Sequence, residues 1–381
     1  MERDKKYSLT EELEMLITEK KELNVLIINV TYRGKLCNIA VKNGKIHAIY
    51  SADIMPKERF DKIIDGEGKR IVPGLVDVHC HGCMGMESTD GVDALKKMSK
   101  HWAMQGTTSW YPTGCTIPVK DIRNAFDAIP QTEGANIVGY HSEGPYICHK
   151  YKGAQDPNCI VKPNLSDFDD RDNIKLITLA PEVEGAIEYI KNSKALVVVG
   201  HSEATYDEAL AGFNAGAKCV THLFNGMPSL HHRQPSILGA AYDSGAYVQI
   251  ICDGMHIHPS VIRLTYKLFS SKRMILISDA IRPALLSDGE YNSGGLAVTV
   301  KSGKATLRGT DTLAGATTSL YGCVQKAIEF GIKPEEAYKM ASTTPSKMMG
   351  IKKGEIKKGY DAEFLLLDEE WKLKDVLILN K

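Results

Sequence analysis

The stretch VDVHCHG at residues 76–82 sets His79 and His81 two residues apart at the end of an apolar run. Side chains on a strand alternate between faces, so the two imidazoles point one way and Cys80 the other. Two imidazoles on one face are half a metal site, although taken alone the pair reads as well as one hydrogen-bonded core histidine beside a surface one. The rest of the chain supplies what would complete the site: Glu143 in HSEGP, His201 in GHSEA, His222 and Asn225 in THLFN, His256 in CDGMH and Asp279 in SDA, each after a short apolar run. By chemistry each is a metal ligand, a proton carrier or a polar anchor. Imidazole and carboxylate together suit a divalent ion such as Zn or Fe, and three or four protein ligands leave a position open for water.

Such residues act together only on a scaffold that brings the ends of distant segments to one place. Candidate strands lie at 75–79, 107–111, 137–141, 174–179, 195–199, 218–222, 247–251 and 274–278. The segments between them carry helical periodicity and end signals. DGVDALKKMSKHWAMQG stops at Gly106, and TYDEALAGFNAGA starts from an N-cap at Thr205. Eight short strands joined by helix-sized crossovers predict an α/β fold with parallel pairing, closed into a (β/α)8 TIM-type barrel. In that architecture the site forms at the C-terminal ends of the strands, where the residues above stand. Acids and imidazoles at so many strand ends facing one mouth are hard to attribute to packing.

Composition excludes several other classes. With 381 residues, 43% apolar and 25% charged, the chain can bury a large core. The formal net charge is zero, which gives no electrostatic footprint for nucleic acid or for an anionic membrane surface. Apolar runs such as ALVVVG are far shorter than the roughly 18 residues of a membrane span. The N-terminus is too charged for a secretory signal. Nine scattered cysteines predict reduced thiols in a cytoplasmic protein. Cys80 and Cys83 form a C-x-x-C, but there is no second pair for a structural zinc, and the pair runs into a loop rather than the helix start a redox motif needs.

Seven motifs run in order from Pro73 to Leu320: PGLVDVHCHG, HSEGP, GHSEAT, THLFNGM, DGMHIHP, SDAIRP and LAGATTSL. Through them most of the chain resembles the amidohydrolase superfamily and, within it, the deacetylases of phosphorylated amino sugars. The resemblance implies metal-dependent hydrolysis of N-acetyl-D-glucosamine 6-phosphate to D-glucosamine 6-phosphate and acetate. A sister activity on N-acetylgalactosamine 6-phosphate or another N-acyl sugar phosphate is the nearest alternative, because the orientation of one hydroxyl is not legible in these motifs. A non-catalytic binding barrel is the more distant one, and it would be expected to have lost ligands.

The same resemblance assigns residues. Glu143, His201 and His222 hold one ion; His79 and His81, with Glu143 bridging and Asp279 alongside, hold a second, giving two ions per subunit. Many other amidohydrolases bridge their metals with a lysine at the end of strand 4, but here that strand ends in TLAPE and its lysine, Lys175, lies at the other end. Asp279 is the general base and then the general acid. Gln155, in YKGAQ, stands where many members carry His and would donate to the substrate carbonyl. Arg233, in HHRQP, is the phosphate ligand by guanidinium chemistry, and the family pattern has it reach into a neighbouring subunit's site, which implies a homodimer. Asn225, the backbone of Gly226, and His256 match the remaining phosphate and sugar contacts, and Leu313 shapes the sugar pocket.

The chain ends complete the reading. Residues 24–72 contain strand-like stretches with an Asn43-Gly44 hairpin turn, and residues 354–381 return with a further strand pattern. The resemblance joins them in a small β-sandwich beside a barrel of residues 73–353. Residues 1–23 form an extension outside the family pattern, in which Ser8 and Glu11 make a capping box and Leu9, Leu13, Leu16 and Ile17 follow helical spacing. It is expected to pack on its own subunit, with a dimer contact as the alternative.

Overall fold

The computed structural model describes residues 23–380, so the helix expected before Leu23 lies outside the described residues. Eight parallel strands form the central sheet: β1 (Leu75–Cys80), β2 (Thr107–Gly114), β3 (Tyr140–Glu143), β4 (Ile174–Leu179), β5 (Leu196–Val199), β6 (Cys219–Val220), β7 (Tyr247–Ile251) and β8 (Met274–Ile277). Each pairs with the next in sequence from β1 to β8. The sheet nearly closes: beyond the ladders, Asp279 N–H donates to the His79 carbonyl at 3.0 Å and His81 N–H to the Ala280 carbonyl at 2.8 Å. The expected barrel is present.

Strands in such a barrel are covered outside by helices and filled inside by one another's side chains, so they read as continuous apolar runs. The alternation sorts them. Leu176, Val198, Ile275 and Ile277 belong to the cluster inside the barrel, whereas Ile177, Val199 and Leu276 pack with Trp102 and Trp110 on the helical side. Asp279 lies two residues beyond the end of β8, at the barrel mouth.

The helices follow their sequence signals. Val92–Met104 ends just before Gly106, whose φ of +82° suits a residue without a side chain. Tyr206–Ala215 is opened by Thr205, which shares a reciprocal capping box with Glu208. Three features depart from the simple repeat. The third strand is broken: Asn136–Ile137 pairs with β2, then Gly139 intervenes at φ +152° before β3. The connection from β3 to β4 has only the short turns Pro157–Cys159 and Leu165–Asp167 where a helix was expected. After β8 comes an antiparallel sheet that the sequence reading missed, β9 (Gly289–Ser293), β10 (Leu296–Lys301) and β11 (Lys304–Leu307).

The two chain ends share a seven-stranded sheet, in which the strand Glu363–Leu367 pairs with Arg70–Pro73 and with Leu373–Ile378. It encloses its own core of Val25, Ile27, Ile39, Phe364, Leu366 and Leu377. The Asn43-Gly44 turn is a hairpin between Lys35–Lys42 and Lys45–Ser51, with φ of +50° and +69°, both positive as the tight type I′ turn requires. Among the described residues, no helix is long and apolar enough to cross a membrane.

Candidate metal centre and active site

Six side chains from five strand ends meet in the barrel mouth, all of them buried. Nε2 of His79 and of His81 lie 3.1 Å apart, and Nε2 of His201 and of His222 lie 3.1 Å apart. Glu143 stands between the pairs. Its Oε1 is 3.2 Å from His79, 3.2 Å from His201 and 2.9 Å from His222, while Oε2 is 3.3 Å from His81. Asp279 Oδ1 lies 3.3 Å from both His79 and His81. Two groups able to hold a cation result, His79–His81–Glu143 and Glu143–His201–His222, with Glu143 common to both.

The backbone bends out of sheet geometry to achieve this. His201, His222 and Asp279 have φ of +48°, +24° and +46°, a left-handed region that costs a residue with a Cβ roughly 1–2 kcal/mol. Strain of this kind persists where the surrounding packing fixes it, and it concentrates at functional sites. Gly226 shows how close that packing is: a Cβ there would lie 3.0 Å from His201 Nδ1, at a φ of +61°.

The far side of each imidazole fixes what its near side offers. His201 Nδ1 lies 2.8 Å from the Tyr151 carbonyl and His222 Nδ1 3.1 Å from the Asn225 carbonyl. A carbonyl only accepts, so both Nδ1 atoms donate, and each Nε2 presents a lone pair to the cavity when the ring is neutral. His79 Nδ1 is held at 3.0 Å by Thr221 Oγ1 and 3.2 Å by Gln249 Oε1, and His81 Nδ1 lies 3.4 Å from Cys115 Sγ. Burial opposes charge on Glu143, yet the facing His79 and His201 hold its carboxyl well below the usual range. Asp279 is lowered in the same way, against burial, by His79 and His81. Two buried carboxylates among four convergent imidazoles are a donor set that fits divalent cations.

His81, Glu143, His201, His222 and Asp279 form one side of a cavity of about 360 Å³, which Gln155, Asn225, Gly226, His256 and Leu313 also line. Gln155 is anchored: its amide oxygen accepts from Thr116 N–H at 2.7 Å and its amide nitrogen donates to Glu143 Oε2 at 2.5 Å. His256 Nδ1 is held by Asp253 Oδ2 at 2.7 Å. Arg233 is exposed, donates to His232 Nε2 at 2.7 Å, and is absent from the lining of its own chain's cavity. No lysine or arginine is among the described residues that line it.

A model of the amidohydrolase family matches residues 70–378. The chain belongs to the amidohydrolase family. Among its amidohydrolase relatives, an N-acetylglucosamine-6-phosphate deacetylase of Vibrio furnissii is 34% identical, covering 89% of this chain and 88% of the relative. An N-acetylgalactosamine-6-phosphate deacetylase of Escherichia coli O157:H7 is 32% identical over 89% of this chain and 93% of its own. Of solved structures, the N-acetyl-D-glucosamine-6-phosphate deacetylase of Mycobacterium smegmatis, in complex with N-acetyl-D-glucosamine-6-phosphate, superposes with a TM-score of 0.84 at 25% identity, covering 95% of this chain and 99% of the other.

Several residues of this amidohydrolase site escaped the sequence reading. Cys115 directly follows β2 and lines the cavity; the strand-end rule that found His79 would have found it had the strand been read to its full length. Ser293, Gly294, Asp311 and Thr312 come from the β9–β11 insertion and the segment after it, signalled by the alternation and Ser-Gly turn of LAVTVKSGKATL. Thr221, Gln249 and Asp253, which hold His79 and His256, had no signal of their own.

Proposed function

We propose that this amidohydrolase hydrolyses N-acetyl-D-glucosamine 6-phosphate to D-glucosamine 6-phosphate and acetate. The observation that carries the reading is the sharing of Glu143 between two histidine pairs with Asp279 beside one of them. The identity to deacetylases of phosphorylated N-acetyl sugars over nearly the whole chain supports it. Glu143, His201 and His222 would hold one divalent ion, Zn or Fe, and His79 and His81, with Glu143 shared and Asp279 alongside, would hold a second. Bound there, a divalent ion supplies Lewis acidity to the amide carbonyl and makes water more acidic.

The chain's own groups do the rest. Asp279 accepts a proton as water oxygen adds to the carbonyl carbon, then returns it to the amide nitrogen as the C–N bond breaks, since an amine leaves poorly without that proton. Gln155 holds Glu143 in place and keeps a donor beside the carbonyl. Asn225, the Gly226 backbone and His256 receive the sugar, and Leu313 forms its wall. A phosphate dianion needs cationic donors, and no arginine or lysine of the described residues lines the cavity. Arg233 of a second copy supplies one, which makes the active form a homodimer. We read residues 24–72 with 354–381 as a supporting β domain, residues 73–353 as the catalytic barrel, residues 1–23 as a helical extension packed on its own subunit, and nine unpaired cysteines as the mark of a cytoplasmic enzyme.

The galacto epimer is the second reading, favoured by the Escherichia coli relative. Acetate release from a panel of N-acetyl hexosamine phosphates, after reconstitution with Zn or Fe, tests both. Faster turnover of the gluco compound is the expected result; turnover of none overturns the assignment.

A further inference from the structure

A smaller cavity of about 80 Å³ adjoins the catalytic one. Its far wall is made by Glu87, Thr89, Thr113 and Ile117, and its near wall by His81, Cys115 and Gly294, which face both spaces. The partition is thin. Cys115 Sγ lies 3.4 Å from His81 Nδ1, and a Cβ on Gly294 would lie 3.2 Å from that sulfur. Gly294 itself has φ +57°, so the insertion approaches the thiol with bare backbone.

Barrel order gives this partition a direction. The sugar-end residues Asn225, Gly226 and His256 follow β6 and β7, whereas Cys115 follows β2, four places from β6 in the strand order and thus across the mouth. On the reading given above, on which this inference rests, the sugar lies at the β6–β7 side and the scissile carbonyl lies beside Asp279 and Glu143. The acyl chain, bonded to the carbonyl carbon opposite the nitrogen, then extends towards Cys115. We propose that the side cavity is a closed acyl subsite: the Cys115 thiol ends the acyl pocket at the length of a methyl group, and the space behind it admits longer chains once the thiol is cut back. A water occupies about 30 Å³, so the side cavity has room for more than one methylene-sized group.

The test compares N-acetyl- and N-propionyl-glucosamine 6-phosphate on the metal-loaded wild type, Cys115→Ala and Cys115→Ser. Serine is smaller than cysteine yet keeps a polar partner for His81 Nδ1, so it opens the wall without freeing the imidazole. Both variants are expected to raise the propionyl-to-acetyl ratio of kcat/KM by about 10-fold or more, the usual scale for one methylene. Adding Ile117→Phe to Cys115→Ser refills the space and returns the ratio towards that of the wild type. The same ratio taken from dissociation constants serves for a variant that binds without turnover. An unchanged ratio in both opened variants, or a wild type that already accepts the propionyl sugar as well as the acetyl one, overturns the acyl subsite while leaving the deacetylase reading intact. Absence of acetate release by the wild type from every sugar of the panel overturns the deacetylase reading itself and the subsite with it.

Discussion

Asp279 leaves β8 with a left-handed backbone and ends 3.3 Å from two imidazoles, close enough to touch a metal and open enough, at the cavity wall, to exchange a proton with substrate. Asp279→Asn keeps the shape and a hydrogen bond but cannot carry a proton. It is expected to lower kcat by about 100-fold or more while substrate still binds; normal turnover at full metal content would refute the assignment. Because Asp279 also faces the histidines, metal content is measured on the same sample. On the proposed assignment His79 and His81 hold the second ion, so changing both to alanine is expected to lower metal stoichiometry from about two ions per chain towards one, with His201 and His222 keeping theirs. A wild type that never takes up a second equivalent, by metal analysis, would contradict the binuclear centre.

At the scale of elements, one buried carboxylate ties the tip of the insertion β9–β11 to the loop after β1. Glu87 Oε1 accepts from Ser293 Oγ at 2.6 Å and Gly294 N–H at 2.7 Å, and its Oε2 pairs with Arg282 at 2.9 Å. Arg282 in turn grips Asp90 at 2.7 Å, so the loop after β1 and the tip of the insertion form one unit. Each hydrogen bond to a charged group contributes about 1.5–3 kcal/mol. Glu87→Ala is therefore expected to loosen the tip, raising KM by about 10-fold and speeding proteolysis within residues 289–307. Unchanged KM and protection would mean that the strands of the insertion hold the tip unaided.

On the scale of the whole molecule, the end sheet is joined to the barrel through a buried charge cluster. Lys353 pairs with Asp361 at 2.8 Å and with Glu363, and Glu363 also accepts from Thr108 and Ser109 of β2 at 2.8 and 2.9 Å. Removing one member of such a cluster leaves charge buried without its partner, so Lys353→Met is expected to cost about 3–5 kcal/mol in urea unfolding at neutral pH. Burial opposes charge on Asp361, but Lys353 holds its carboxyl below the usual range. A carboxyl lowered in the folded state contributes stability that is present above its unfolded pKa of about 3.9 and is lost as pH falls through the folded value. The acid-range slope of stability should accordingly flatten in Lys353→Met. The proposed homodimer has its own test. Mixing inactive Arg233→Ala chains with inactive Asp279→Asn chains should restore about a quarter of wild-type activity, since half of the reassorted dimers carry one intact composite site. No recovery after confirmed subunit exchange would mean that Arg233 serves its own chain.

Much of this was legible in the chain alone, because the signals are local. Apolar runs of strand length, the Thr205 cap, the Gly106 stop and the Asn43-Gly44 turn depend on neighbours a few residues away, and parallel strands in series leave few topologies besides the barrel. The convergence of His79, His81, Glu143, His201, His222 and Asp279 was legible for the same reason: a barrel converts the end of each strand into a position at the mouth, so a residue's place in its own segment stated its place there. What only the tertiary structure decided is which atoms meet. The placement of Glu143 Oε1 against His79, His201 and His222 and of Oε2 against His81, the turn of Gln155 onto that carboxylate, the exclusion of Arg233 from its own cavity and the Cys115 partition depend on segments up to about two hundred residues apart. Those separations are fixed by barrel closure and by left-handed turns at His201, His222 and Asp279, conformations that no local propensity favours and that only the surrounding packing can hold.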